Sequence, residues 1–294
     1  MPSTKLTLSV PPDFSFRSTV YSHGWCELTP FELDDKRGRL SYVFSDSKGR
    51  KHSPAVIYQE RKKVVIELAN SKVSQEKVLA DTRHILRLDD DLAGFYSSLD
   101  GHESLKWVAQ KFAGRLLRSP TVWEDLVKTI CTTNCSWSLT KIMVRNIVEK
   151  IGDAAGVGKF AFPSPEKMAA MPEAFYRNEI KAGYRSPYFV ELAEKVASGE
   201  LDPERWSRSD VPTTELKKEI KKVKGVGDYA AENLLKLLGR YDGLALDSWL
   251  RSQFYKKHNR EKVCKDKKIE RHYNKFGSWR GLAIWCDMTE KWIA

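Results

Sequence analysis

The first part of the chain carries short runs of β-branched and aromatic residues separated by polar turns. Residues 40–44 (LSYVF), 55–59 (AVIYQ) and 63–68 (KVVIEL) are such runs, and the polar stretch 47–51 (SKGRK) separates the first two. Runs of this length and composition are typical of antiparallel strands. The pattern therefore predicts an antiparallel sheet region within residues 13–68.

From about Ser74 onward, apolar residues recur with helical spacing instead. Residues 123–131 and 138–151 each place their large apolar side chains on one face of a helix. Ser164 and Pro165 fit an N-cap and the first position of a further helix. A helix over residues 188–198 and a final helix starting near Ser278 complete the pattern.

This change of periodicity predicts an α+β protein. We expect a β-rich N-terminal domain with a lead-in helix over residues 1–105, and a helical domain over residues 106–294. The 294 residues allow one large domain or two of ordinary size. The sequence contains no internal repeat.

A glycine turn joins two short predicted helices, over residues 216–223 and 229–238. Gly225 and Gly227 allow the backbone to turn sharply and to approach a phosphate closely, and Val226 can fill the core between the helices. Free backbone N–H groups at a helix N-terminus also suit a phosphate. We therefore predict a helix-hairpin-helix unit that binds a nucleic-acid backbone.

A single carboxylate, Asp247, follows this unit in the stretch LALDSWL (residues 244–250). An acid between an apolar run and a helix most often serves only as an N-cap. Beside a phosphate-binding hairpin, a carboxylate can also stabilise positive charge on a deoxyribose. At about 4 Å and an effective dielectric constant near 20, that attraction is worth roughly 4 kcal/mol. The position after the hairpin favours the catalytic interpretation.

The charge of the chain is +11 and is concentrated near its end. Residues 251–280 contain 11 Lys and Arg against 3 Asp and Glu, a net charge of +8. A basic face of this kind fits a polyanion, although it would also serve solubility alone.

Cysteine usage and hydropathy exclude several other classes. Five scattered cysteines form no disulfide framework, which predicts an intracellular protein. The C-terminal part holds only Cys264 and Cys286, so a four-cysteine iron–sulfur site cannot form there. No apolar run approaches the roughly 20 residues of a membrane span, and the N-terminus lacks a secretory signal.

Together, these residues resemble the helix-hairpin-helix DNA glycosylases, a superfamily that includes the 8-oxoguanine and the alkylpurine (3-methyladenine) glycosylases. The resemblance covers most of the chain. It rests on the hairpin, on Asp247 and on residues 108–118, 130–134, 182–188 and 279–283 with Thr289 and Glu290. The Gly-Tyr-Arg of residues 183–185 resembles the oxoguanine branch, and the C-terminal motif resembles the alkylpurine branch.

The resemblance implies roles for individual residues. Asp247 would be the catalytic carboxylate, which stabilises the oxocarbenium-like sugar and orients the attacking water. Asn134 would fill the space that an extruded base leaves, Tyr184 would wedge beside the orphaned base, and Arg185 would hydrogen-bond to it. Without the resemblance, Asn134 reads as a turn residue and Tyr184 as a core aromatic. Leu139 stands where the oxoguanine branch has a second arginine.

The resemblance also predicts which step is missing. Strand-cutting members carry a lysine two residues after the second hairpin glycine, and this chain has Tyr229 there. Because a phenol cannot form a Schiff base with the sugar, the resemblance implies a monofunctional enzyme without lyase activity.

For the lesion, the implied pocket is apolar and aromatic. Ile284 and Met288 stand near the positions of a glutamine and a phenylalanine that contact the base in the oxoguanine branch, with Trp285 between them. Trp249 follows Asp247, and Trp25 could reach the pocket from the N-terminal domain; Trp249 and Trp285 could equally be core residues. Such a pocket favours a cationic alkylpurine.

Hairpins of this superfamily often hold a monovalent cation through backbone carbonyls, here those of Lys221, Val223 and Val226. No other cofactor is implied. The expected partner is double-stranded DNA with a damaged base, and the protein is expected to be a monomer that contacts no membrane.

Three functions therefore compete. The first is a monofunctional glycosylase for alkylated purines, the second a glycosylase for oxidised guanine, and the third a non-catalytic helix-hairpin-helix protein that binds DNA.

Overall fold

The computed structural model describes residues 4–293. Its strands are β1 Thr4–Ser9, β2 Glu32–Asp34, β3 Arg39–Ser45, β4 His52–Glu60, β5 Lys63–Leu68, β6 Ala154–Gly156 and β7 Lys159–Phe160. Its first seven helices are α1 Phe16–Val20, α2 Gln75–Leu86, α3 Ala93–Ser98, α4 Lys106–Gln110, α5 Val122–Thr132, α6 Trp137–Ile151 and α7 Pro165–Ala169. The others are α8 Glu173–Phe175, α9 Ser186–Ala197, α10 Thr213–Ile220, α11 Asp228–Leu237, α12 Ser248–His258, α13 Asp266–Tyr273 and α14 Arg280–Ile293.

The N-terminal strands form one antiparallel five-stranded sheet in the order β1-β5-β4-β3-β2. Register places Ile57 opposite both Leu40 and Ile66, so one row of apolar side chains crosses three strands. The predicted α+β fold, an antiparallel sheet followed by helices, is confirmed. β1 and β2 were not predicted. Both are edge strands: β2 has three residues, and β1, although Leu6 and Leu8 alternate with polar residues, buries only Leu8.

The predicted helices form where the sequence supplies caps and an apolar face. Ser74, Ser136 and Ser164 each accept a hydrogen bond from the backbone N–H of the residue three positions later, which confirms the predicted cap at Ser164. The final helix begins at Arg280, two residues after the predicted start near Ser278. A 3₁₀ segment over Asn274–Trp279, in which Gly277 adopts a left-handed conformation, precedes it.

The sheet packs on α5 through a buried polar layer. Tyr42 on β3 donates a hydrogen bond to Glu124 at 2.6 Å, and the Trp25 indole N–H donates to Asp125 at 2.7 Å. Lys128 Nζ lies 2.6 Å from Glu124. Burial raises the pKa of Asp125 to about 6, although hydrogen bonds from Trp25 and Ser119 oppose the shift. The layer joins sheet and helices into one core, and the domain boundary at residue 105 stays a prediction.

Within residues 4–293, none of the helices combines the length and the apolarity that a membrane span requires.

Candidate active site and nucleic-acid interface

The hairpin between α10 and α11 has the geometry that its glycines predict. Gly225 has φ +87°, and a Cβ there would lie 2.5 Å from the Tyr188 ring, so only glycine fits. Val226 is buried between the helices. Gly227 is the N-cap of α11 and opens onto free space. Among the described residues, the amides of Gly227, Asp228 and Tyr229 donate no hydrogen bond, and they therefore remain available to a phosphate.

The carbonyls proposed for a monovalent cation also lie at this turn. The Val223 carbonyl accepts the Val226 amide at 3.0 Å and keeps a second lone pair. The carbonyls of Lys221 and Val226 accept no hydrogen bond within residues 4–293. These three oxygens are therefore chemically suited to a hard monovalent cation.

Asp247 is both a helix cap and a half-buried carboxylate beside the hairpin. Its Oδ1 accepts the Leu250 amide at 2.7 Å, which fixes the side chain at the start of α12. The Tyr229 phenol, at the start of α11, lies close to it. Burial raises the pKa of Tyr229, and the Asp247 carboxylate raises it further while the Thr132 hydroxyl opposes the shift. The structure thus brings the predicted catalytic acid and the residue at the lysine position together.

Trp249, two residues after Asp247, belongs to a cluster of three tryptophans. Ring centroids are 6.0 Å apart for Trp249 and Trp285, 5.3 Å for Trp249 and Trp292, and 5.6 Å for Trp285 and Trp292. The Trp285 indole N–H donates to the Ser22 carbonyl at 2.8 Å, which anchors the cluster to the N-terminal part. Met288 lies between Trp285 and Trp292 on α14 and is buried. Trp292 was not predicted, although the spacing i, i+3, i+7 places it with Trp285 and Met288 on one helix face.

Trp25 lies apart from this cluster. Its indole is buried and bonded to Asp125, and its described aromatic neighbour is His23, 4.8 Å between centroids. Its place is between the sheet and α5. The expectation that it reaches the base pocket therefore gains no support from its contacts.

The three residues implied in filling a vacated base position lie together. Asn134 adopts a left-handed conformation, φ +45°, in the loop between α5 and α6, and its amide lies 3.3 Å from the Tyr184 hydroxyl. Tyr184 is exposed, so it is not the core aromatic of the alternative interpretation. Arg185 is buried against the Tyr184 ring at 4.5 Å and donates to Thr133 at 3.1 Å, while its Nη2 has no partner among the described residues.

The basic segment 251–280 presents its charges outward. Nine of its 11 Lys and Arg side chains are exposed. The segment is fastened to α14 by Asp287, which accepts hydrogen bonds from His258 and Tyr273, both at 2.6 Å. Burial raises the pKa of Asp287, but the bonds from His258, Lys257 and Tyr273 outweigh it and hold the pKa at about 2. His258, His272 and Asp287 lie close enough together to hold a metal ion, but the Asp287 carboxylate already accepts hydrogen bonds from His258 and Tyr273.

Two further groups beside Asp247 were not predicted. Lys236 on α11 is buried, lies 5.7 Å from the Trp285 ring and donates to the Leu244 carbonyl. Glu232, one helical turn earlier, accepts the Ala245 amide. The signal in the sequence is an i, i+4 pair of opposite charges on α11, which from the sequence alone is interpreted as an ordinary surface pair.

Comparison with known proteins relates the chain to two enzyme types. No protein-family model matches it. The DNA-3-methyladenine glycosylase of Bacillus subtilis is 26% identical over 165 residues, which cover 55% of this chain and 54% of that protein, so the match spans only about half of the relative.

Solved structures resemble the chain over nearly its whole length. The 3-methyladenine DNA-glycosylase of Archaeoglobus fulgidus superposes with a TM-score of 0.76, at 20% identity, over 97% of this chain and 98% of that one. The 8-oxoguanine glycosylase/lyase of Clostridium acetobutylicum, solved with double-stranded DNA, gives 0.72 at 21% identity over 95% and 92%. The relative and the structural neighbours of this chain are thus helix-hairpin-helix DNA glycosylases of the 3-methyladenine and 8-oxoguanine types, and the chain shares their fold.

Proposed function

We propose that the protein is a monofunctional DNA glycosylase, which extrudes a damaged purine from duplex DNA and hydrolyses its N-glycosidic bond. The observation that carries the proposal is the juxtaposition of Asp247, Tyr229 and an uncapped hairpin turn at the start of α11. A base inside the stack is out of reach of such a carboxylate, so extrusion must precede the reaction.

The DNA backbone is held by the hairpin. The free amides of residues 227–229 bind a phosphate, and exposed Lys222 adds positive charge beside the turn, while Lys221 and Lys224 are paired with Asp228 and Glu191. A monovalent cation on the carbonyls of Lys221, Val223 and Val226 would add a further positive charge toward the same phosphate. Asn134 and Tyr184 occupy the gap in the duplex. Arg185, which the resemblance assigns to the orphaned base, must uncover its buried, unpartnered Nη2 to reach that base.

Asp247 carries the chemical step. As the bond from C1′ to the purine nitrogen breaks, its electron pair leaves with the base and positive charge develops on the sugar. The carboxylate stabilises that charge and orients a water whose oxygen bonds to C1′. The proton of the water passes to the carboxylate and then to solvent.

Tyr229 supports hydrolysis without strand cleavage. A lyase step needs an amine that adds to C1′, and the phenol at this position cannot supply one. Its raised pKa also keeps the phenol neutral beside the carboxylate. The protein should therefore leave an intact strand with an abasic site.

The tryptophan cluster supports an alkylated purine as the lesion. Indole faces attract a cation, and an N-alkylated purine carries a positive charge that also weakens its own glycosidic bond. A second candidate, an oxidised guanine, is favoured by Arg185, whose unpartnered Nη2 would suit recognition of the base opposite the lesion once DNA binding uncovers it. A non-catalytic DNA-binding protein is the third possibility.

A panel of duplexes tests these functions. Each duplex carries one 7-methylguanine, 3-methyladenine, hypoxanthine or 8-oxoguanine, and released bases are quantified by chromatography under single-turnover conditions. We expect release of the methylated bases. Release of 8-oxoguanine alone would replace the first candidate with the second, and binding without any release would favour the third.

Borohydride trapping in the same reactions tests the absence of the lyase step. We expect free base but no covalent complex between protein and DNA. A covalent complex trapped with the wild-type protein would contradict the monofunctional assignment.

A further inference from the structure

The stretch that leads into Asp247 is held by charged side chains from the hairpin helix. Lys236 Nζ donates to the Leu244 carbonyl at 3.1 Å, and Glu232 Oε2 accepts the Ala245 amide at 2.6 Å. The Leu244 carbonyl and the Ala245 amide belong to the same peptide bond. Two side chains four residues apart on α11 therefore hold both polar groups of one peptide plane, two residues before the proposed catalytic carboxylate.

That peptide adjoins a strained residue. Ala245 has φ +52°, a left-handed conformation that L-amino acids other than Asn and Asp rarely adopt. Such a conformation persists only where the surroundings enforce it. The two side-chain bonds supply that enforcement, because both are lost if the peptide rotates.

The neighbouring backbone is equally confined. A Cβ at Gly243 would lie 2.7 Å from the Glu232 side chain, so Glu232 packs directly on the chain as well as bonding to it. The Gly281 amide of α14 donates to the Tyr241 carbonyl at 2.7 Å. Residues 241–247 are thus fixed from α11 on one side and from α14 on the other.

The buried charge of Lys236 lowers the stability of the folded protein. Lys236 is 2% exposed, and its described partners are the Leu244 carbonyl and the face of Trp285. Burial lowers the pKa of Lys236 to about 8, while Glu232 on its own helix, Asp247 at the start of α12 and Cys286 on α14 raise it. A buried ammonium costs stability at neutral pH, so a purely structural role would be filled better by an apolar side chain.

We propose that Glu232 and Lys236 are positioning residues that clamp the Leu244–Ala245 peptide and thereby set the place of the Asp247 carboxylate. This inference rests on the proposed function, because it assigns the clamp a purpose in base release. The clamp itself is a structural property, and two backbone amides report it without any activity. The Ala245 amide donates to Glu232, and the Leu250 amide donates to Asp247.

The test compares the wild-type protein with Lys236→Met and with Lys217→Met. Lys217 lies 2.5 Å from the other oxygen of Glu232 and 3.0 Å from Asp228, and its loss removes these two ion pairs while leaving both bonds to the peptide. We expect Lys236→Met to release base about 10- to 100-fold more slowly in single turnovers, the loss that follows a displacement of about 1 Å. DNA affinity should be unchanged, and Lys217→Met should stay within about threefold of wild type.

Amide hydrogen exchange reports the clamp itself, and slower release at unchanged DNA affinity, with rescue by a conservative variant, separates positioning from a merely structural role. In Lys236→Met, the Ala245 and Leu250 amides should exchange faster, while the unfolding midpoint at pH 7 should not fall, because the buried charge is removed. Glu232→Gln, which keeps an acceptor oxygen, should retain more activity than Glu232→Met.

The outcomes separate the two proposals. Unchanged exchange in Lys236→Met overturns the clamp, whatever the activity. Faster exchange with unchanged release also overturns the positioning role, since the peptide would then be held without effect on Asp247. If the wild-type protein releases no base from any duplex, the proposed function fails. The clamp is still supported in that case if the Ala245 and Leu250 amides exchange more slowly in the wild-type protein than in Lys236→Met.

Discussion

Replacing Asp247 with asparagine separates its two roles. The carboxylate caps α12 through Oδ1, and the same side chain is the proposed stabiliser of the sugar cation. Asparagine has nearly the same shape and is as good a cap as aspartate, because its carbonyl oxygen can accept the Leu250 amide. The Asp247→Asn variant therefore keeps the helix start and removes only the negative charge.

The size of the effect follows from Coulomb's law. A carboxylate about 4 Å from a developing unit charge, at an effective dielectric constant near 20, contributes about 4 kcal/mol. Each 1.36 kcal/mol corresponds to a factor of ten in rate, so Asp247→Asn should slow base release by about 10³-fold. If Asp247 were only a cap, the asparagine variant would release base normally, and Asp247→Ala would cost about 1 kcal/mol of stability.

Single-turnover release of 3-methyladenine or 7-methylguanine from duplex DNA measures this difference, with binding of the same duplex and thermal unfolding as checks. Asp242→Asn is a matched control, because Asp242 is a half-buried acid five residues earlier whose hydrogen bond from Thr213 an amide oxygen can also accept. Equal release by Asp247→Asn and wild type would refute the electrostatic role.

Three further substitutions test the surroundings of Asp247 and of the core. Tyr229→Lys should yield a covalent DNA complex on borohydride treatment, because it places an amine beside Asp247. Tyr229→Phe is the control. If the lysine variant traps no DNA, residue 229 does not reach C1′. Trp249→Ala should slow release of cationic 7-methylguanine about tenfold more than release of neutral hypoxanthine, and equal losses on the two duplexes would argue against a charge-selective pocket; Trp249 is chosen because the Lys236 ammonium already lies 5.7 Å from the Trp285 ring. Asp125→Asn should raise the unfolding midpoint at pH 7.5 and increase the free energy of unfolding by up to about 3 kcal/mol. Burial raises the pKa of Asp125 in the folded protein from 3.8 to about 6. The ionised carboxylate therefore destabilises the fold fully above pH 6, and this destabilisation vanishes toward pH 3.8. Thermal scans at pH 7.5 and 4 measure this increase. A lower midpoint of the variant at pH 7.5 would show that the negative charge of Asp125 stabilises the buried Lys128 ammonium.

Most elements were predictable because their signals are local. β5 occupies Lys63–Leu68, the predicted run, and α5 and α6 match their predicted bounds to within one residue at each end. α13 escaped prediction because its eight residues bury only Ile269 and Tyr273, too few for an apolar period. Short edge strands escape prediction because the neighbouring strand, rather than their own composition, decides whether they pair.

The sequence by itself determined the α+β order of elements, the glycine hairpin and the presence of one acid after it, because turn chemistry and apolar periodicity are properties of a few consecutive residues. Only the tertiary structure decided which side chains meet. It brought Tyr229 to Asp247, gathered Trp249, Trp285 and Trp292 from two helices, and left Trp25 on Asp125. It also turned Glu232 and Lys236 from an apparent surface pair into a buried grip on one peptide. Their contacts join residues distant in sequence or bond to backbone, and packing of whole elements fixes such contacts where local pattern cannot.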